Sequence, residues 1–210
     1  MSEPYLGDTL LGHSLASLTT VLMGWFAAGV IGLPLGIWVA WSKHARWTVY
    51  PVFQLLRPIP PIAWIPLALM WFGIGDVSRV FVVFVAAIVP WTLNSIQAVE
   101  GIDPILIRAA RVLGAGQTRI LAGVVVPTAV PTLLAGAQIA LGNAWTTVIA
   151  AELLGASNGL GYIALNSSRT LDTDILLVSM LTIGVIGAAL SVLARTAVRL
   201  VGPGSGTAIS

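Results

Sequence analysis

Asn94, Gln138, Asn143, Thr146 and Thr147 are polar residues set inside otherwise apolar stretches of this chain, and Glu152 closes one of the two long stretches. Amides and hydroxyls of this kind can hydrogen-bond a passing solute, or one another across neighbouring helices. Neither use is covalent chemistry. The chain has no Cys, which removes a thiolate nucleophile, a thiolate metal site and a disulfide scaffold together. Its two histidines, His13 and His44, are too few for a multi-His metal centre. The single lysine, Lys43, is not preceded by the glycine pattern G-x-x-x-x-G-K-S/T of a phosphate-binding loop. No catalytic residue, metal or cofactor is therefore expected. Any energy must come from a partner or an ion gradient.

The elements that hold these polar residues follow from composition. Of 210 residues, 57% are hydrophobic and 9% charged, with a mean hydropathy of +0.96. A soluble domain carries about 25% charged residues, so this chain cannot cover a water-facing surface and reads as an integral membrane protein. A net charge of +2 is too small to point to nucleic acid. Residues 9–42, 58–75, 80–99, 120–151 and 175–194 contain no Asp, Glu, Lys or Arg, in runs of 34, 18, 20, 32 and 20 residues. About 20 apolar residues in a helix cross the hydrocarbon. Five transmembrane helices are expected, at about 14–41, 59–74, 79–97, 124–149 and 175–195, in a single all-α transmembrane domain over residues 1–210. The runs are continuously apolar and do not alternate with period two, which disfavours a β-barrel.

Sidedness follows from the basic residues. With the N-terminus outside, the cytoplasmic segments carry Lys43, Arg46, Arg57, Arg108, Arg111, Arg119, Arg195 and Arg199. The external segments carry only Arg79 and Arg169, together with Glu3, Asp8, Asp76, Glu152, Asp172 and Asp174. The positive-inside rule favours this orientation, with the C-terminus cytoplasmic. The acidic start MSEPYLGD lacks the basic region of a cleaved signal peptide.

Several connecting segments carry local signals. Pro58, Pro60, Pro61 and Pro66 prevent a regular helix at the start of the second span and leave carbonyls unpaired. That stretch is either a kinked start to an ordinary helix or a hinge lining a gate. Residues 98–123 are the most charged part of the chain. Asp103 is placed to cap a short amphipathic helix beginning at Pro104, and Gly114 and Gly116 end it. A docking surface, a solvated loop and a helix lying on lipid headgroups all fit this pattern. Gly155, Gly159 and Gly161 mark a turn outside, followed by a segment too short to span. Gly32 and Gly36 flank Pro34 as a packing or kink site, and the tail GPGSGTAIS reads as flexible. Glu152 either lies at the outer mouth or ends its apolar run in interfacial water.

The segment RAARVLGAGQTRILAGVVVP resembles the cytoplasmic loop of permease subunits of binding-protein-dependent ABC importers. That signature is Glu-Ala-Ala, three residues, Gly, nine residues, Ile, any residue, Leu-Pro. Ala109, Ala110, Gly114, Val124, Val126 and Pro127 fall on it, and Arg108 stands where the family has Glu. RPIPPIAWIPLALMWFGIG and AWTTVIAAELLGASNGLGY look like the nitrate, taurine and alkanesulfonate subfamily, whose members have about six spans where this chain has five. The resemblance implies a type I importer permease in a prokaryotic inner membrane. Two copies would form a homodimeric pathway for a small solute brought by a substrate-binding protein. Two ATPase subunits would grip the coupling loop at Arg108, Ala109, Ala110, Arg111 and Gly114, with Pro127 beyond it. Asn94, Gln138, Asn143, Thr146 and Glu152 are the candidates for lining the pathway. The competing reading is a secondary carrier or channel subunit, which would need an ionisable residue within a span.

The absence of Cys makes sidedness directly testable. A membrane-impermeant thiol reagent is expected to label Arg169→Cys in intact cells. Ala109→Cys should be labelled only after permeabilisation.

Overall fold

The computed structural model describes residues 8–201. Glu3 and the tail from Gly202 onward lie outside the described residues.

The first apolar run folds as one helix, α1 (Leu10–Trp41), 32 residues and thus about 48 Å long. The Thr9 hydroxyl accepts the Gly12 N–H at 3.2 Å and caps its start. Two short helices follow, α2 (Lys43–Thr48) and α3 (Tyr50–Leu56). A 3-10 turn over Pro61–Trp64 leads into α4 (Ile65–Phe72). The span expected at about 59–74, with an irregular start, is shorter than expected: its α-helix α4 has only eight residues, and the Lys43–Leu56 and Pro61–Phe72 pieces meet at 90°. The cause is the proline cluster, which removes the N–H groups a continuous helix needs across that stretch.

Gly73, at φ +73°, ends α4, and α5 (Asp76–Glu100) then runs back through the bundle. The charged segment forms α6 (Pro104–Val112) and α7 (Gln117–Ile120). A π turn over Leu121–Val125 opens α8 (Val126–Gly155). Pro127 has no N–H to return to the preceding turn, and the wider π turn accommodates that loss. The expected outer turn is followed by α9 (Leu160–Thr170), and α10 (Thr173–Val201) completes the chain. Four of these helical stretches are long and apolar enough to cross a membrane; the bent Lys43–Phe72 pair makes five.

The centre of the bundle is a seam between α1 and α5. A Cβ on Gly24 would lie 2.6 Å from Val83 Cγ1, one on Gly32 3.0 Å from Trp91 Cβ, and one on Gly36 2.5 Å from Ser95 Cβ. Each pair is offset by the same 59 positions, so the two helices run parallel in one register. Small residues let them approach closely, which is how helices associate where lipid offers no hydrophobic drive. On the other side of α5, α8 crosses where the Asn94 side chain fills the room a Gly136 side chain would need, 2.4 Å from its Cβ position. Outward, α1 presents Leu15, Phe26, Val30 and Trp38, and α10 presents Met180, Leu181, Val185 and Leu193, all exposed. Such faces suit acyl chains rather than water.

The two ends of the bundle differ. At one, Arg46 and Glu100 form an ion pair at 2.6 Å close to α6. At the other, the loop before α9 folds onto the start of α1 and the end of α8. The two groups of loops that the charge pattern separates are therefore at opposite ends.

Gly36→Leu is expected to push α1 off α5 and cost about 1–3 kcal/mol, read as a lower Tm of the detergent-solubilised protein. Gly142→Ala, at a site with no other atom within 4 Å of the new Cβ, should not lower Tm and is expected to raise it slightly.

Candidate functional site

Three places in the structure gather polar groups. One is a cleft of about 680 Å³ between α5, α8 and the broken α3–α4 segment. This volume is in the range of small-molecule sites, roughly 300–1,000 Å³. Its walls are mainly apolar, with Phe53, Trp64, Phe81, Phe84 and Leu93 among them. Polarity comes from Asn94 and Gln97 on α5, Asn143 on α8 and Arg57 at the end of α3. Pro61 lines the cleft too, so irregular backbone lies where a cavity rather than lipid meets it. Of the two readings of the proline stretch, its position on the cleft wall suits the hinge.

The expected pathway residues do not share one site. Asn94 and Asn143 line the large cleft. Gln138 and Thr146 line a separate crevice of about 210 Å³, opposite Gly187, Leu190 and Ser191 of α10. Helical phase is the reason: Asn143 is four residues from Ile139 and shares its face, whereas Gln138, Gly142 and Thr146 form the adjacent stripe. Thr147 is buried. Asn94 Nδ2 also donates to the Pro90 carbonyl at 2.7 Å, which fixes the amide against its own helix.

Glu152 is in neither cavity. It is 1% exposed and sits at the far end of α8 among donors from three other segments. Ser17 Oγ donates to its Oε1 at 2.7 Å, and the Gly161 N–H donates to Oε2 at 2.9 Å. The Arg79 guanidinium approaches Oε1 at 3.8 Å. Arg79 also donates to the Asn158 carbonyl at 3.1 Å and to Asn158 Oδ1 at 2.7 Å, and it pairs with Asp76. The Leu160 N–H donates to Ser17 Oγ and the Gly159 N–H to His13 Nδ1, both at 3.0 Å. Gly159 adopts φ +111°, and a Cβ there would lie 2.3 Å from Glu152 Cδ. Glu152 is thus not the carboxylate in interfacial water that the end of an apolar run suggests. It ties α1, α5, α8 and the start of α9 together, because burying it demands donors.

The third place is the α6 loop. The Asp103 carboxylate accepts the Ile105 N–H at 2.8 Å and caps the helix. At its end the Ala115 N–H returns to the Ala110 carbonyl and the Gly114 N–H to the Arg111 carbonyl, both at 3.0 Å. This is a Schellman closure, and it places Gly114 at φ +80°. Arg108, Ala109 and Arg111 are exposed, and Val112 and Leu113 are 87% and 86% exposed. Ala110 is half-buried against the start of α8, and Pro127 is exposed in its first turn. Two exposed apolar side chains beside two basic ones, Arg108 and Arg111, make a surface that is incomplete alone.

Comparison with known proteins adds the decisive observation. The family described as "Binding-protein-dependent transport system inner membrane component" matches residues 32–206. The chain belongs to this family. It is 36% identical over 204 residues to the taurine transport system permease protein of Escherichia coli, covering 97% of this chain and 74% of that one. It is 34% identical over 209 residues to a nitrate import permease protein of Synechococcus elongatus, covering 96% and 75%. It is also 31% identical to a putative aliphatic sulfonates transport permease protein of Bacillus subtilis, covering 88% and 67%. Its fold matches a solved chain of the MetNI methionine ABC transporter in an inward-facing conformation, with a TM-score of 0.83 and 23% identity, covering 92% of this chain and 96% of that one.

This permease is a multi-pass membrane subunit of an ABC importer with the type I fold. It is a non-catalytic subunit whose transport is driven by a partner ATPase. The family implies a binding protein and a dimeric permease besides. Arg57 and Gln97 on the cleft, and Arg79 in the buried cluster, are the residues sequence reasoning missed. Arg57 and Arg79 were visible there only as charges that set sidedness.

Glu152→Ala leaves Arg79 and the Gly161 N–H without their shared acceptor. The permease is expected to lose about 3 kcal/mol or more, measured as a drop in Tm in detergent, with a smaller loss for Glu152→Gln.

Proposed function

We propose that two copies of this chain form the route by which a small anionic solute, handed over by a binding protein outside, crosses the inner membrane. The cleft that Asn94 and Asn143 share carries this reading. It is large enough for a small solute, runs along the broken segment, and offers amide donors and a guanidinium in an apolar wall. The relatives support an anionic cargo: taurine, aliphatic sulfonates and nitrate each carry a negatively charged oxygen group.

In this reading the α6 end faces the cytoplasm, with the N-terminus outside. Two ATPase subunits seat on the two α6 loops. Ala109 and Ala110 are small enough to let the helix sit closely in a partner's cleft, Val112 and Leu113 fill apolar sites there, and Arg108 and Arg111 meet acidic groups. Gly114 gives the tight exit toward α7 and Pro127. Closure of the ATPases on ATP moves α6, and the α1–α5 seam carries that movement to the cleft. A secondary carrier would need a titratable group open to its route. Glu152, the buried acid, is instead taken up by donors of its own protein.

Ala109→Glu puts a long acidic side chain on the exposed face of α6. It is expected to lower recovery of the ATPase with the purified permease at least tenfold while leaving Tm of the permease alone unchanged. Normal ATPase recovery with that variant would overturn the assignment of the α6 surface.

A further inference from the structure

We propose that Arg57 is a specificity-determining residue of the cleft, the cation that meets the oxyanion group of the solute in transit. The inference deepens the reading of the cleft as the solute route and depends on it. Among the described residues lining the cleft, Arg57 is the one charged side chain, and no carboxylate is present to neutralise it. Its situation differs from that of two other arginines near the bundle: Arg46 is paired with Glu100, and Arg79 with Asp76 and Glu152. No ion pair or side-chain hydrogen bond engages the Arg57 guanidinium among the described residues, so its donors are free for a ligand.

The fold explains why a cation is held there. Arg57 closes α3, whose first residue, Tyr50, packs against the cluster of Val39, Ala45 and Ile96, and Pro58 follows it at the 90° break. A cation at a helix C-terminus is favoured by the helix dipole. The proline bars the chain from continuing the helix past it. The side chain is thereby left at the break, facing a wall that also carries Gln97, Asn94 and Asn143. A guanidinium offers a planar fork of donors that matches two oxygens of a nitrate, sulfonate or carboxylate. Arg57 is exposed in the cleft, so a solute reaches its guanidinium directly, and the apolar walls around it leave few competing partners. The same unneutralised charge repels a cationic solute. The site therefore accepts small singly charged oxyanions, with the three amides able to complete their hydrogen bonds.

A lipid headgroup phosphate offers the same chemistry to an arginine, so the test must separate transit from anchoring. The complete importer, with its ATPase and binding protein, is reconstituted in vesicles, and nitrate, methanesulfonate and taurine are supplied in turn. Uptake and binding-protein-stimulated ATP hydrolysis are measured together. Arg57→Gln is expected to keep the stimulated hydrolysis within twofold of the unaltered complex while uptake per ATP falls at least tenfold. Arg57→Lys, which keeps the charge but loses the fork, should fall between the two. Unchanged uptake per ATP in Arg57→Gln overturns the proposal. So does a parallel fall of hydrolysis and uptake in both variants, the signature of a structural or lipid-anchoring role. If the unaltered complex hydrolyses ATP but moves none of the three solutes, two of them anions and taurine a zwitterion with an anionic sulfonate, the reading of an oxyanion-bearing cargo beneath the proposal falls, whatever the variants do.

Discussion

The close parallel contact of α1 with α5 is the constraint on which the rest of this permease depends. Gly24, Gly32 and Gly36 let the two backbones meet at one fixed offset, and Val83, Trp91, Thr92 and Ser95 fill the room those glycines leave. In lipid, apolar surface alone does not choose a partner, so closeness and interlocking shape must do so. With α5 fixed on one side, its opposite side becomes a wall. The cleft, the crossing at Asn94 and Gly136, and the packing of α3 and α4 are all built on that wall.

Polar groups in this molecule obey one physical rule with two outcomes. Where protein surrounds them, buried polar groups draw partners to themselves: Glu152 takes donors from α1, α5 and the start of α9, and Arg79 Nε alone in that cluster is left unpaired among the described residues. Where they face an open cleft, they can remain available, as Arg57, Gln97 and Asn143 do. The first outcome produces rigidity and the second leaves donors free to bind. Both sets lie in or beside long apolar runs, and only the fold tells them apart.

What could be read in the sequence was what is local. Charges partition the chain, so the long helices fell close to the expected spans. The N-cap at Asp103 and the αL closure at Gly114 depend on residues within a few positions and were legible as such. The prolines announced a disturbed second span, though not its 90° break. The partners of Glu152 were beyond reach because Ser17 is 135 positions away. Arg79 read as an external charge, yet it is 3% exposed. The polar residues of α8 were expected to serve one pathway. Their spacing already put Gln138 and Asn143 on different faces, and the structure sends them to different cavities. The α6 loop and its family signature were legible for a further reason: the residues carrying them are contiguous.

The ends of α8 are built unlike each other. One is clasped by the Glu152 cluster, and the other begins in a π turn, where the backbone is wound more loosely. A rod clasped by hydrogen bonds at one tip and held by apolar packing at the other pivots more easily than it slides. The clasp then serves as a fulcrum, and a small displacement near Leu121 shrinks along the lever toward it. Asn143 and Ile139, between the two tips, would travel only part of that arc.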